Sequence, residues 1–107
     1  GRTAEKQQNR EAIELARNTP LERFDQTEKA YYFEARGRAH HALGEYRNAR
    51  EDLLQSARLN PTINAVAFLA ATEFELGNLA RARQLARQVH EADPDNPLVR
   101  DLMRKMQ

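Results

Sequence analysis

The chain has 107 residues, 40% hydrophobic and 31% charged, with a formal net charge of +1. This length gives one domain at most, with a modest core, and so small a net charge makes little electrostatic case for nucleic acid. Cysteine is absent, which excludes a disulfide framework, a thiol nucleophile and a thiolate metal site, and fits a reducing or an oxidising compartment equally.

Residues 3–18 carry Ala12, Ile13, Leu15 and Ala16 among Glu, Arg and Gln. They predict a short amphipathic helix whose apolar stripe is best formed at its C-terminal end. Asn18-Thr19-Pro20 stops it, because proline lacks the amide hydrogen and restricts the residue before it. Residues 20–26 read as a loop with Leu21 and Phe24 tucked onto the core. Thr27 reads as the N-cap of a helix over 28–43, with Ala30, Phe33, Gly37, His40 and Leu43 on one stripe. Gly44 stands where a helix C-cap belongs.

A helix over 46–59 follows, with Tyr46, Ala49, Leu53, Ala57 and Leu59 inward, and Asn60-Pro61 ends it. Thr62 caps the next, through about Leu76, carrying Val66, Leu69, Ala70 and Glu73 or Phe74. Gly77-Asn78 closes that one. The helix over 79–92 carries Leu79, Ala82, Leu85, Ala86 and Val89, and the last begins near 97 with Leu98, Val99, Leu102, Met103 and Met106. No strand-like alternation occurs, and no apolar run approaches the roughly 18 residues of a membrane span. No signal-peptide pattern is visible, and Gly1 reads as a remnant of cloning.

Two phrases recur 33 positions apart. Leu43-Gly44-x-Tyr46-x-x-Ala49-Arg50 returns as Leu76-Gly77-x-Leu79-x-x-Ala82-Arg83, and Pro61 and Pro94 follow at the same distance. The glycine turns are too short for anything but antiparallel neighbours. The expectation is two helical hairpins, residues 30–61 and 63–94, flanked by helices 3–18 and 97–107.

This arrangement resembles the tetratricopeptide repeat. Phe33, Gly37, Gly44, Tyr46, Ala49, Leu53 and Pro61 match that motif in the first copy. Val66, Leu69-Ala70, Gly77, Leu79, Ala82 and Pro94 match it in the second. Arg36 replaces the expected leucine, and His40 and Glu73 stand where an aromatic is usual. The resemblance implies an all-α fold, a short right-handed solenoid of about six helices, as part of a longer array. It also implies a protein that is not an enzyme and needs no cofactor, holding a partner peptide or helix in its concave groove.

By that resemblance the groove would be lined by Tyr31, Glu34, Arg38 and His41, then Asn64, Ala67, Ala71 and Phe74, extended by Arg100 and Arg104. Tyrosine and phenylalanine would serve as anchors and arginine as carboxylate partners. A chaperone-tail subtype, which clamps a terminal carboxylate with lysine and asparagine, does not fit, because Glu34 repels a carboxylate and the lysine is missing. The alternative is a structural spacer or a self-association segment of a larger bacterial secretion or envelope-assembly protein, joined through the C-terminal helix and its Met103 and Met106. Those methionines read equally as core.

No constellation supports catalysis or a metal. His40 and His41 are adjacent and point to different sides of a helix, His40 into the hairpin and His41 to solvent. His90 at a helix C-terminus is explained by the helix dipole. Ser56, the only serine, falls on a buried helix face. The 14 arginines against Lys6, Lys29 and Lys105 suit carboxylate contacts, although codon usage explains them more simply. Arg47, Arg50, Arg58, Arg81, Arg83 and Arg87 alternate with Glu45, Glu51, Asp52 and Glu91, which predicts a salt-bridged, solvated outer face rather than an RNA surface.

Overall fold

The computed structural model describes residues 2–107, with Gly1 outside the described residues. Among these lie six helices and no strand: α1 (Arg2–Arg17), α2 (Gln26–Ala42), α3 (Tyr46–Leu59), α4 (Ile63–Glu75), α5 (Leu79–Ala92) and α6 (Pro97–Lys105). A single 3₁₀ turn, Leu21–Arg23, interrupts the segment between α1 and α2.

Gly44 and Gly77 end α2 and α4 with φ of +78° and +84°. That backbone region is cheap only for glycine, and it reverses the chain within three residues. Contacts along α2 and α3 descend as an antiparallel pair requires. Arg36 bonds Asp52, and further from the turn Ser56 Oγ donates to the Ala30 carbonyl at 2.7 Å.

The helix starts are chemically marked. Thr62 accepts from the Ala65 amide and opens α4, as the sequence predicts, and Asn96 accepts from the Val99 amide and opens α6. The cap of α2 is a correction: it is Asp25, not Thr27. Asp25 accepts from the Glu28 amide at 2.8 Å while Glu28 accepts from the Asp25 amide at 3.1 Å. A reciprocal pair satisfies two orphan donors where a lone threonine would satisfy one.

The core runs from α3 through α4 to α5 and α6. Ala49 and Leu53 of α3, Ala67, Leu69 and Ala70 of α4, Leu85, Ala86 and Val89 of α5, and Val99 and Leu102 of α6 form one buried cluster. Helix α4 is the centre of the molecule and packs on α2, α3, α5 and α6. Leu53 and Leu69, fully buried, each contribute about 1.5–3 kcal/mol of transfer free energy. Small residues set the distance between helices. A Cβ added at Gly37 would lie 2.8 Å from Leu53 Cγ, so α2 and α3 approach as closely as a glycine allows.

Two large side chains assigned to apolar stripes are exposed. Leu79 is 42% exposed. Its counterpart Tyr46 shares a cleft with Leu76 at the end of α4, whereas α6 stops at Lys105 before reaching the corresponding place beside Leu79. Leu15 is 74% exposed although Ile13 is buried. Helix α1 packs principally on α2, so only part of its apolar stripe finds a neighbour. Met103 and Met106 are half-buried against the core cluster.

Candidate functional site

Two surfaces follow from this packing. The first crosses α2, α4 and α6, where the sequence places the groove. The structure sorts its expected residues into layers. Glu34, Ala67 and Ala71 are buried, His41 and Phe74 are half-buried, and Tyr31, Arg38, Asn64, Arg100 and Arg104 are exposed.

The lower layer ties α2 to α4. Thr62 Oγ1, which already caps α4, donates to Glu34 Oε1 at 3.0 Å. Thr72 Oγ1 donates its one proton to the Phe68 carbonyl at 2.7 Å. It can therefore only accept from His41 Nδ1, 3.0 Å away, so the proton of the neutral imidazole sits on Nδ1. The His41 ring meets Tyr46 and Phe68 edge to face, with centroids 5.3 and 5.9 Å away. Burial pushes His41 below its ordinary value of 6.5, with Glu75 opposing. The solvent-exposed place expected for His41 is thus corrected: the ring wedges between two hairpins because Phe68 and Tyr46 offer it apolar faces.

Above this layer Arg38 lies over the Phe68 ring, 4.7 Å from its centroid. Half its side chain is exposed, and Glu34 Oε2 is 3.8 Å from its Nη1. The result is an accessible cation with an aromatic face beneath it, fixed in place from one side. Phe68 was not singled out in the sequence, and its position two residues after Val66 gave no signal beyond its bulk.

The second surface is an apolar cleft of about 590 Å³ between α1 and α2. Ala12, Leu15 and Ala16 form one wall, Tyr31, Tyr32 and Ala35 the other, and Phe24 lies in the lining from the connecting segment. Tyr31 is 73% exposed. It lines this cleft, although the sequence places it on the expected groove. An ion pair also ties down helix α1: Arg10 Nη1 is 2.8 Å from Glu45 Oε2.

Alongside the cleft runs a polar chain, half-buried except for the buried Asp52. Arg36 donates to both oxygens of Asp52, and its other nitrogen donates to Tyr32 Oη at 2.9 Å. His40 Nδ1 lies 2.8 Å from Glu45 Oε1, and because an ionised carboxylate only accepts, that nitrogen carries the proton. The hydrogen bond from His40 holds Glu45 below the ordinary carboxylate value, reinforced by Arg10.

The outer arginines are exposed as expected, but their partners differ. Asp52 turns inward to Arg36, Glu45 goes to Arg10 and His40, and Arg50 Nε reaches the buried Glu73 at 2.9 Å. Carboxylates that can reach a hairpin interior are held there by fixed donors, which an exposed pair on two mobile side chains does not match. Ser56 is buried and its hydroxyl is engaged with the Ala30 carbonyl, which gives it a structural task.

No group of three His, Asp or Glu among the described residues is placed to hold a metal ion, and no described helix is long and apolar enough to cross a membrane. No protein-family model, curated protein or solved structure matches the chain. The described residues form an all-α fold of six helices with two open side-chain surfaces, one cationic and aromatic, the other apolar.

Proposed function

We propose that the chain is a protein-interaction scaffold of the tetratricopeptide kind, its hairpins stacked as a short right-handed solenoid. It takes a partner peptide or helix on the face that crosses α2, α4 and α6. The observation that carries this reading is Arg38 held over Phe68, with Asn64 of α4 and Arg100 and Arg104 of α6 also exposed. Such a surface suits a helix or extended peptide bearing carboxylates, which arginine binds in two-point fashion, and an apolar anchor.

Glu34, Ala67 and Ala71 leave little surface to a partner; their place in this reading is to support the exposed layer. The test is a titration of a captured partner against the folded chain. Arg38→Glu combined with Phe74→Ala is expected to weaken binding at least about a hundred-fold, the loss of roughly two central contacts. Unchanged affinity in a variant with wild-type circular dichroism removes the groove assignment.

A second reading, self-association, is favoured by a separate observation: Leu15 and Tyr31, two large side chains on one cleft, are each about three-quarters exposed.

A further inference from the structure

Phe68 is touched twice from α2, by a permanent cation and by a titratable ring. Arg38 lies over it, 4.7 Å from its centroid, and the His41 ring meets it edge to face at 5.9 Å. Arg38 and His41 are three places apart on one helix, so both reach the same neighbour on α4. A further link runs through the main chain. His41 Nδ1 donates to Thr72 Oγ1, and Thr72, wholly buried, gives its own proton to the Phe68 carbonyl. The imidazole thus braces one turn of α4 at both the ring and the backbone of Phe68.

The repeat shows which kind of side chain this place takes. One period after His41 stands Phe74, half-buried against the core, an aromatic with no proton to take up. One period after Arg38 stands Ala71, so the second hairpin carries no cation there. The first hairpin puts a titratable ring in an aromatic's place, beside a cation.

We infer that His41 is a proton-operated latch on the Arg38 site. Neutral, the ring is seated against Phe68 and Tyr46 and keeps Arg38 on its aromatic base; protonated, it leaves the seam and Arg38 comes loose. The latch is a property of the free chain. Its use, to loosen the hold on an acidic partner in acid, rests on the groove reading.

Few charged groups face the ring. From α4 comes Glu75, which favours the imidazolium, but Glu75 is exposed and screened by water. From α3 comes Tyr46, with its ring centroid 5.3 Å away. On α2 itself Arg38 brings a like charge, and Glu34 beyond it is engaged by Thr62 and Arg38. His40 and Glu45 are paired with each other.

A proton taken up in this seat meets three penalties. The charge is half-buried, and burial outweighs Glu75. Nδ1 already donates to Thr72, so the new proton falls on Nε2, which has no hydrogen-bond partner among the described residues. An aromatic face attracts a cation, but Phe68 already carries Arg38, and a second positive charge on one ring repels the first. Rotation about the side chain's own bonds brings the half-buried ring to water and relieves all three without disturbing the helix. Phe68 then loses its brace.

Nuclear magnetic resonance of the full chain across pH tests this without a partner. The ring current of Phe68 displaces the side-chain protons of Arg38 upfield. That displacement is expected to be lost between about pH 7 and about pH 5. Its midpoint is expected to coincide with that of the His41 Cε1 proton, below 6.5. His41→Phe copies the second hairpin, fills the seat and cannot protonate, so Arg38 is expected to stay displaced over the whole range. His41→Gln, which keeps a donor for Thr72, gives the same comparison where phenylalanine overpacks the seam. Phe68→Leu removes the displacement at every pH.

An Arg38 signal that stays put while His41 titrates overturns the latch. So does the same acid loss in both His41→Phe and His41→Gln, which assigns its cause to Glu34 or to unfolding. Backbone amides of α4 and α5 that unfold in the same step as His41 titrates overturn it too. The groove is judged apart from this, by partner affinity of Arg38→Glu with Phe74→Ala at about pH 7, where His41 is neutral. Either reading can therefore fail while the other stands.

Discussion

Arg36 grips Asp52 with two parallel hydrogen bonds, Nε to Oδ2 at 2.8 Å and Nη2 to Oδ1 at 2.7 Å. The hydrogen bond to Asp52 is also the main reason that Arg36 is raised above its ordinary value. One period later the same two places hold Leu69 and Leu85, both buried. The two hairpins thus solve one packing position with different chemistry, an ion pair in the first and two leucines in the second.

Arg36→Leu is expected to destabilise the chain by about 3 kcal/mol, because the Asp52 carboxylate remains buried without its main partner. Arg36→Leu with Asp52→Leu, which copies the second hairpin, is expected to return to wild-type stability or exceed it. Urea unfolding of the two variants measures both. A single variant as stable as the wild type contradicts the assignment of Asp52 to a buried ion pair.

Gly37→Ala sets two effects against each other. The alanine gains about 1 kcal/mol of helix propensity. Its Cβ meets Leu53 Cγ at 2.8 Å and Asp52 Cβ at 3.2 Å, an overpacking that costs about 1–3 kcal/mol. Leu53 is fully buried and Asp52 is anchored by Arg36, so neither moves cheaply, and the clash wins. A lower thermal midpoint is expected, and Leu53→Val in the same chain is expected to restore part of it. A raised midpoint for Gly37→Ala alone shows that the hairpin can open without cost.

Acid weakens the fold in two stages. His41 is lowered from 6.5 by burial, so on acidification the unfolded chain takes up this proton first. Its contribution is complete above about pH 6.5 and declines as pH falls through the folded value. Glu45 is lowered from 4.5, chiefly by His40, so its contribution is present above about pH 4.5 and is lost below, again as the folded value is passed. Denaturation midpoints compared between wild type and His41→Gln are expected to diverge in slope between pH 7 and pH 5. Glu45→Gln is expected to change only the lower range. Parallel curves for His41→Gln place that ring in solvent.

Helix α1 hangs on few contacts. Ile13 is its one buried apolar side chain, at 5% exposure, and Arg10 supplies the ion pair to Glu45. Ile13→Ala removes about 2–5 kcal/mol of local packing, and the loss is expected to detach α1 before the rest unfolds. Hydrogen exchange reads this directly: amides of α1 lose protection while those of α4 keep theirs. Uniform loss across both helices shows that α1 is an integral part of the cooperative unit.

The hairpins were legible because their signals are local and chemically narrow. Gly44 and Gly77 are needed for positive φ, and Ala49 and Ala82 are completely buried where helices meet. The cap of α2 is legible too: Asp25 and Thr27 are both cap formers, but only the aspartate has a glutamate three places on. Other features were not in the pattern. Arg36 and Asp52 lie on different helices, and no periodicity pairs them. Leu15 and Leu79 belong to apolar stripes that end beyond the helices available to cover them. His41 has a polar name but an apolar setting, made by Phe68 and Tyr46 from other helices. For the residues expected on the groove, the depth of each depended on how closely α2, α4 and α6 approach.

The unlike pair, Arg36–Asp52 against Leu69–Leu85, also bears on how the chain avoids misassembly. Two hairpins of one length and one turn chemistry invite their helices to trade places, within a chain or between chains. Here a trade would press a bare charge onto leucine, so mismatched pairings are penalised before any later helix docks. The chain carrying Arg36→Leu and Asp52→Leu lacks that discrimination. Refolded at high concentration, it is expected to give hairpin-exchanged dimers that the wild-type chain does not form.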